Sequence, residues 1–276
     1  MLYFGCPQLA FLGEFEIRPM STVIVRTYTP DGLVIGTDGL ACNSYTEKIE
    51  SKNEQKVFCF GGAETLAFSF TGSVQLGREG RVWFDFVQFF RLAAATIPVY
   101  DHPDLKSYAN ALANAMHGPL TQIRASGAIC FTEAENERQQ DGYFTIAQVL
   151  IDGYVKGLPG RCDILFTHRG QSLDVKIASS PLHNQPMVAG PALVTERYSY
   201  DPVFAKYRTI QDRTFHRNGV LSAEIHRTKC LIEAHGSDEA RAIDPICRFI
   251  GGRTQIATIT RADGFQWVPG FEAARL

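Results

Sequence analysis

The chain has 276 residues, of which 45% are hydrophobic and 20% are charged, the balance of a globular protein with a sizeable core. This composition excludes a disordered chain, a collagen-like repeat and a coiled coil. The formal net charge of −2 at pH 7 gives no reason to expect nucleic acid or an anionic membrane surface as a partner, and no stretch is apolar enough to predict a membrane span.

The seven cysteines are dispersed along the chain and form no CxxC pair, which argues against a zinc site and against a disulfide framework. Free thiols in a reducing compartment are the simplest interpretation, so the sequence predicts a cytoplasmic protein. The chain also lacks a GxGxxG motif after a strand, a P-loop motif and an HExxH pair. We therefore expect no metal, nucleotide or other cofactor.

The beginning of the chain differs from the rest. Residues 1–20 have no basic region followed by a continuous apolar run, so they do not predict a secretory signal. From residue 21 the sequence changes to β-branched residues typical of a buried strand. We expect residues 1–20 to be a leader, either a propeptide or an upstream start codon wrongly assigned, and residues 21–276 to form a single domain.

The predicted elements come in separate blocks, with two hairpins first, then helices, strands, one further helix and a closing hairpin. The predicted strands cover residues 21–27, 33–38, 56–60, 66–72, 144–155, 163–168, 173–177, 187–189, 255–260 and 265–268. The predicted helices cover 84–95, 105–123 and 222–235, and a charged stretch at 133–141 predicts an exposed loop. Blocks of this kind, without alternating βαβ units, favour a layered α+β fold.

The first predicted helix is rich in aromatic residues, namely Phe84, Phe86, Phe89 and Phe90. Packing in the core or against another subunit explains such a helix better than a ligand site does. We therefore expect a homo-oligomer, with this helix contributing to the core or to a subunit contact.

A chain that begins on a serine or threonine at the head of a strand can use its own α-amine as a general base. That amine has a pKa of about 8 in a peptide, which suits it to accept a hydroxyl proton. Each further part of such a site has a candidate at a strand end: Ser21 or Thr22 as the hydroxyl, Lys56 as a cation that lowers the amine pKa, Asp38 as the carboxylate that orients Lys56, and Gly72 as the backbone oxyanion donor. In an antiparallel sheet these strand ends can meet.

The same residues carry a family resemblance. The run from Ser21 to Asp38, followed by Lys56 and Gly72, resembles the opening of proteasome β-type subunits and, more closely, their simpler bacterial homologues in the N-terminal-nucleophile hydrolase superfamily. Residues 250–268 resemble the final hairpin of that family. The resemblance implies a four-layer αββα sandwich of two antiparallel sheets, a threonine- or serine-type peptidase or amidase acting on peptides or proteins, no metal, and assembly into rings.

The chain departs from the family pattern in several places, and one of them precedes the glycine pair of the closing hairpin, where Asp244 is offset from the aspartate of the family. Met20, where the family has a glycine for self-cleavage, precedes Ser21 and fits removal of an initiator methionine. The spacing to the first Asp-Gly turn is one residue longer than expected, so Thr22 is the alternative nucleophile. Residues 187–191 lack the serine that the family has there. Two functions stay open, an N-terminal-nucleophile hydrolase and a non-catalytic, proteasome-like structural subunit.

Overall fold

The computed structural model describes residues 22–42, 48–60, 63–72, 75–78, 81–125, 144–169, 172–180, 182, 185–210, 212 and 220–273. The strands, in chain order, are β1 (Ile24–Thr29), β2 (Gly32–Thr37), β3 (Ala41–Cys42), β4 (Ile49–Ser51), β5 (Val57–Phe60), β6 (Ala63–Gly72), β7 (Gln75–Arg78), β8 (Arg81–Asp85), β9 (Phe144–Val155), β10 (Leu158–Arg169), β11 (Ser172–Ser179), β12 (Met187–Ala189), β13 (Gln255–Thr260) and β14 (Gly264–Trp267). The α-helices are α1 (Phe86–Thr96), α2 (Leu105–Ala125), α3 (Ala192–Tyr198), α4 (Leu221–His235) and α5 (Asp238–Ile243). Short 3-10 helices cover Val99–Asp101, Pro202–Phe204 and Pro245–Phe249.

Two five-stranded antiparallel sheets form the centre of the molecule. The first sheet has the strand order β12-β1-β2-β13-β14, and the second sheet has the order β11-β10-β9-β6-β5. The pairs β3–β4 and β7–β8 form separate two-stranded hairpins. Because β1 lies between β12 and β2, residues just before β1 lie beside the end of β2 and the end of β12.

Alternation along β1 shows how the layers stack. Ile24 belongs to an apolar cluster that joins the two sheets, whereas Val23 and Val25 belong to a cluster that joins the first sheet to α3, α4 and α5. A third cluster packs α1 and α2 against the second sheet. Three apolar layers require four layers of structure, because each sheet buries both of its faces. The α+β, four-layer αββα sandwich expected from the sequence is confirmed.

The aromatic residues of the first predicted helix are part of the protomer's own core. Phe84, Phe86 and Phe90 are buried in the cluster between α1, α2 and the second sheet, and Phe89 packs against it. The helix begins at Phe86, after Asp85 caps it by accepting from the Gln88 amide, so Phe84 lies on β8. These rings therefore give no evidence for a contact between subunits.

Other predicted elements differ from the structure in identifiable ways. The β7–β8 hairpin was missed, because its first strand is short and contains a glycine and an arginine. The short helices α3 and α5 were also missed, since neither is long enough to show a helical period. The predicted loop at 133–141 lies outside the described residues.

The lengths and apolar content of the helices indicate whether any of them could cross a membrane. No helix within the described ranges is long and apolar enough to cross a bilayer.

Candidate active site

The end of β2 and the start of β1 bring Asp38 beside Thr22. Ile24 pairs with Thr37, so the residues that precede β1 lie level with those that follow β2. The amide of Val23 donates to Asp38 Oδ1 at 3.0 Å, and the Asp38 amide faces the Val23 carbonyl oxygen at 3.4 Å. The antiparallel register alone therefore places a carboxylate next to the residue that begins the first strand.

Lys56 joins this pair from the second sheet. Its Nζ lies 3.1 Å from Thr22 Oγ1 and 3.1 Å from each carboxylate oxygen of Asp38. The three residues are buried, with 6% of Thr22, 0% of Asp38 and 8% of Lys56 exposed. One ammonium group thus contacts both a hydroxyl and a carboxylate in a site with little water, where such contacts are strongest.

Backbone donors complete the surroundings of Asp38. Its Oδ2 accepts from the Leu40 amide at 3.2 Å and from the Gly251 amide at 3.3 Å. Burial raises the pKa of the Asp38 carboxyl, and the charge of Lys56 and the amide of Val23 oppose that rise. Since the amides of Val23, Leu40 and Gly251 and the ammonium of Lys56 all donate to its oxygens, the arrangement favours the carboxylate form.

Gln255 holds the segment that carries Lys56. This residue is fully buried at the start of β13, and its Oε1 accepts from the Lys56 amide at 3.3 Å. Its Nε2 donates to the carbonyl oxygen of Glu54. The side chain therefore fixes the backbone on both sides of residue 55. Sequence reasoning missed this role, because the strand QIATIT contains two threonines as well, so the polar side chain of Gln255 does not stand out.

Gly72 occupies the same end of the second sheet. Val57 pairs with Ser69 across β5 and β6, so the register places Gly72 a few residues beyond the level of Lys56. Gly72 has a φ of +88°, and a Cβ atom there would lie 2.8 Å from the carbonyl oxygen of Ile146. Glycine is thus required at this strand end for both conformation and space.

The structure therefore brings together three of the five residues singled out in the sequence. Thr22, Asp38 and Lys56 are in direct contact, whereas Gly72 is fixed nearby by its contacts with β9. Ser21 lies outside the described residues.

No family model and no curated protein matches the sequence. The fold is similar to that of Anbu. An Anbu mutant from Hyphomicrobium sp. strain MC1 matches with a TM-score of 0.53 at 11% identity, covering 92% of this chain and 88% of that chain. Anbu, described as an ancestral beta-subunit, from Yersinia bercovieri matches with a TM-score of 0.51 at 13% identity, covering 90% of this chain and 88% of that chain.

These comparisons correct the family expected from the sequence. The assignment to bacterial relatives of proteasome β-type subunits is wrong, because no family model matches and the matched structures are Anbu proteins at 11% and 13% identity. Likeness at such identities establishes the fold alone. The motifs that suggested the family are short and lie at turns and strand ends, where the fold itself favours glycine and aspartate.

The thiol of Cys42 interacts with the charges of the site. It is 7% exposed at the end of β3, and it interacts electrostatically with Lys56 and Asp38. Burial raises the pKa of its thiol, so the neutral form dominates at pH 7. Cys42 is therefore a poor nucleophile beside the Thr22 hydroxyl.

The donor set suits proton transfer and anion stabilisation. Within the described ranges, no group of three or more His, Cys, Asp and Glu side chains stands close enough to hold a metal ion. A hydroxyl, an ammonium and a carboxylate in one buried cluster can stabilise an alkoxide and hold a neighbouring amine in its neutral form.

Proposed function

We propose that the protein is an N-terminal-nucleophile amide hydrolase acting on peptides or proteins, with Thr22 as its nucleophile. The observation that carries this proposal is the position of Lys56 Nζ, which lies 3.1 Å from the Thr22 hydroxyl and from both oxygens of Asp38. The hydroxyl of Thr22 contacts Lys56, and this contact supports Thr22 as the first residue of the working chain. Residues 1–21 would then be the segment to be removed.

The chemistry follows from these three side chains and a free α-amine on Thr22. The amine takes the hydroxyl proton as Oγ1 attacks the substrate carbonyl carbon, and the resulting oxyanion accepts from the Gly72 amide. The ammonium of Lys56 lowers the amine pKa by like-charge repulsion and stabilises the developing alkoxide, while Asp38 fixes Lys56. The protonated amine then gives its proton to the leaving nitrogen, and water hydrolyses the ester by the reverse route.

The amine must be free for this mechanism, so the experiment combines intact mass with hydrolysis of a fluorogenic peptide. Active protein should begin at Thr22, and the Thr22→Ala variant should lose at least about 10³-fold in kcat, as expected for loss of a nucleophile. Lys206→Ala, which breaks an exposed pair with Glu239, is the control and should keep full activity. Hydrolysis by a chain that retains Ser21 would exclude Thr22 as the nucleophile.

One observation favours a second function, that of a non-catalytic structural subunit. Ser21 precedes Thr22, whereas self-cleaving relatives of this fold are expected to have glycine there. A chain that keeps Ser21 would have its Thr22 nitrogen blocked as an amide, and would act as a non-catalytic structural subunit. Protein purified from its native source that retains Ser21 and hydrolyses no peptide would favour this second function.

A further inference from the structure

The edge strand β12 forms a wall beside Thr22. Ala189 pairs with Ile24, so the turn that follows β12 runs alongside the residues that precede β1. A Cβ atom placed on Gly190 would lie 3.4 Å from the carbonyl oxygen of Thr22, so the backbone of this turn passes the backbone of the proposed nucleophile at about the distance that one methyl group would fill. Because β12 has only three residues and lies at an edge, its own strand pairing holds it weakly.

Two polar side chains hold the far end of this wall. The amide of Thr195 donates to the Pro191 carbonyl oxygen at 3.1 Å, and the Thr195 hydroxyl lies 3.0 Å from the same oxygen. The hydroxyl also lies 3.0 Å from Nε2 of His235, the last residue of α4. His235 is itself fixed, since its Nδ1 lies 2.8 Å from the carbonyl oxygen of Leu231.

The ring of His235 has one arrangement of protons that fits these partners. A carbonyl oxygen only accepts, so Nδ1 carries the proton that is donated to Leu231. In the neutral ring Nε2 is then an acceptor, so the single O–H group of Thr195 donates either to Nε2 or to the Pro191 carbonyl oxygen. Burial lowers the pKa of His235, which keeps the ring neutral at pH 7. Thr195 is thus held between a fixed imidazole and the Pro191 carbonyl.

The hydrogen-bonded pair of Thr195 and His235 is unusual because its neighbours are apolar. Val194, Leu231 and Ala234 belong to the apolar cluster between the helices and the first sheet, and Val23 belongs to it too. Apolar side chains of the same shape would pack there at little or no net cost in stability, because a buried hydrogen bond gives only a small net gain. Stability alone therefore gives little reason for a histidine and a threonine at these two positions, whereas orientation of the turn does.

We propose that Thr195 and His235 are positioning residues for the reaction, which hold the Gly190–Pro191 turn against Thr22 and so fix one wall of the site. This inference rests on the proposed function. His235 contacts Thr195, Thr195 contacts Pro191, and the adjoining Gly190 lies beside the backbone of Thr22. Loss of the hydrogen bonds made by Thr195 should impair the alignment of the Thr22 hydroxyl more than the binding of substrate.

The experiment measures kcat and KM of the full processed protein on a fluorogenic peptide, with active sites counted by a β-lactone that acylates the Thr22 hydroxyl. Thr195→Val should lower kcat per titrated site by roughly 3- to 10-fold, the size of one lost hydrogen bond, with KM within about twofold. Thr195→Ser keeps the hydroxyl and should restore kcat. Thr121→Val removes the same kind of hydroxyl contact, to the His117 carbonyl in α2, and should change nothing.

Each outcome decides between the proposals. Wild-type kcat in both Thr195→Val and His235→Leu would overturn the positioning role while leaving the proposed function intact. A loss of titrated sites at unchanged kcat per site would also overturn it, because that is the result of a merely structural role. If Thr195→Val does not fold, His235→Leu decides alone by the same criteria. Processed wild-type protein that hydrolyses no peptide and takes up no β-lactone would overturn the proposed function and the positioning role together.

Discussion

Amides near both ends of the described chain donate to Asp38, so even a small change to its carboxylate should affect the stability of the protein. Replacing its carboxylate by an amide removes the charge that balances Lys56 and brings an NH2 group towards the donors of Val23 and Gly251. We expect Asp38→Asn to lower the free energy of unfolding by roughly 3 kcal/mol and peptide hydrolysis by at least about 10²-fold. Denaturant unfolding and peptide assays measure both.

The matched control is Asp31→Asn, in the exposed turn of the same hairpin. It should change the free energy of unfolding by less than about 0.5 kcal/mol. Equal losses in the two variants would argue that the charge of Asp38 has no special part in the site.

His235 gives a pH dependence whose direction follows from its burial. Its pKa is lowered in the folded protein, whereas an unfolded chain binds a proton at a pH of about 6.5. As the pH falls below that value, the unfolded state takes up the proton first, so stability is lost towards acid pH with a slope of at most about 1.4 kcal/mol per pH unit.

This dependence is measured by urea unfolding at a series of pH values. His235→Leu should flatten the slope below about pH 6.5, because the group that titrates on unfolding is gone. His226→Gln, which changes an exposed histidine on the same helix, should leave the slope as in the wild type. A wild-type slope in His235→Leu would contradict the assignment.

The sequence was sufficient to predict that Thr22, Asp38 and Lys56 lie together, because each of them follows or precedes a strand whose pattern is clear. It could not decide between Ser21 and Thr22, since both are small hydroxyl residues at the head of the same predicted strand. The roles of Gln255 and His235 could not be predicted from the sequence, for a related reason. Each acts through a partner on another element, and nothing local marks a residue for such a contact.

Among the elements, three strands were predicted with the correct bounds. β9, β12 and β13 have the bounds that the sequence indicated. β10 begins five residues before its predicted start, and Pro159 and Gly160 lie in that added part. Those two residues usually signal a break, yet pairing with β9 carries the strand through them, which is a case of tertiary contacts overriding local preference.

A buried charge network ties β1 to the second sheet. Arg26 NH1 lies 2.8 Å from Asp163 and 3.4 Å from Asp152, and Asp152 also accepts from Arg161 Nε at 2.8 Å. We expect Asp152→Ala to lower the free energy of unfolding by about 3–5 kcal/mol, because it leaves a guanidinium buried without its carboxylate. Chemical denaturation of the purified protein measures the loss.

The control is Asp238→Ala. It also removes the carboxylate of an aspartate–arginine pair, with Arg241 at 2.7 Å, but this pair is exposed to solvent. Its effect should be less than about 1 kcal/mol. If Asp152→Ala were equally mild, water must reach the network in solution, and the two sheets would be joined by apolar packing alone.

At the scale of the whole molecule, one stretch of the chain carries several exposed apolar side chains. They lie on and after α3: Leu193 is 51% exposed, Tyr200 62%, Val203 44% and Ile210 71%. Their exposure on neighbouring parts of the chain replaces the aromatic helix as the reason to expect a homo-oligomer, because exposed apolar patches are typical of contact surfaces. We expect sedimentation at micromolar concentration to give a species larger than 30.6 kDa.

The substitution Tyr200→Glu should shift that species towards the monomer, since a charge in an apolar contact opposes association. Leu158→Glu changes an equally exposed leucine in the β9–β10 hairpin and should leave the assembly as it is. A wild-type monomer at that concentration would exclude the oligomer.

The amide of Gly251 reaches Asp38 across a separation of 213 residues, and this sets the order in which the site can be assembled. During synthesis, Thr22, Asp38 and Lys56 emerge early, but β2 gains its neighbour β13 only after nearly the whole chain has been made. Until that pairing forms, Asp38 lacks one of its donors and Gln255 cannot hold Lys56. If the protein is the hydrolase proposed above, an incomplete or truncated chain is therefore inactive, and Thr22 does not react within a nascent chain surrounded by other unfolded polypeptide.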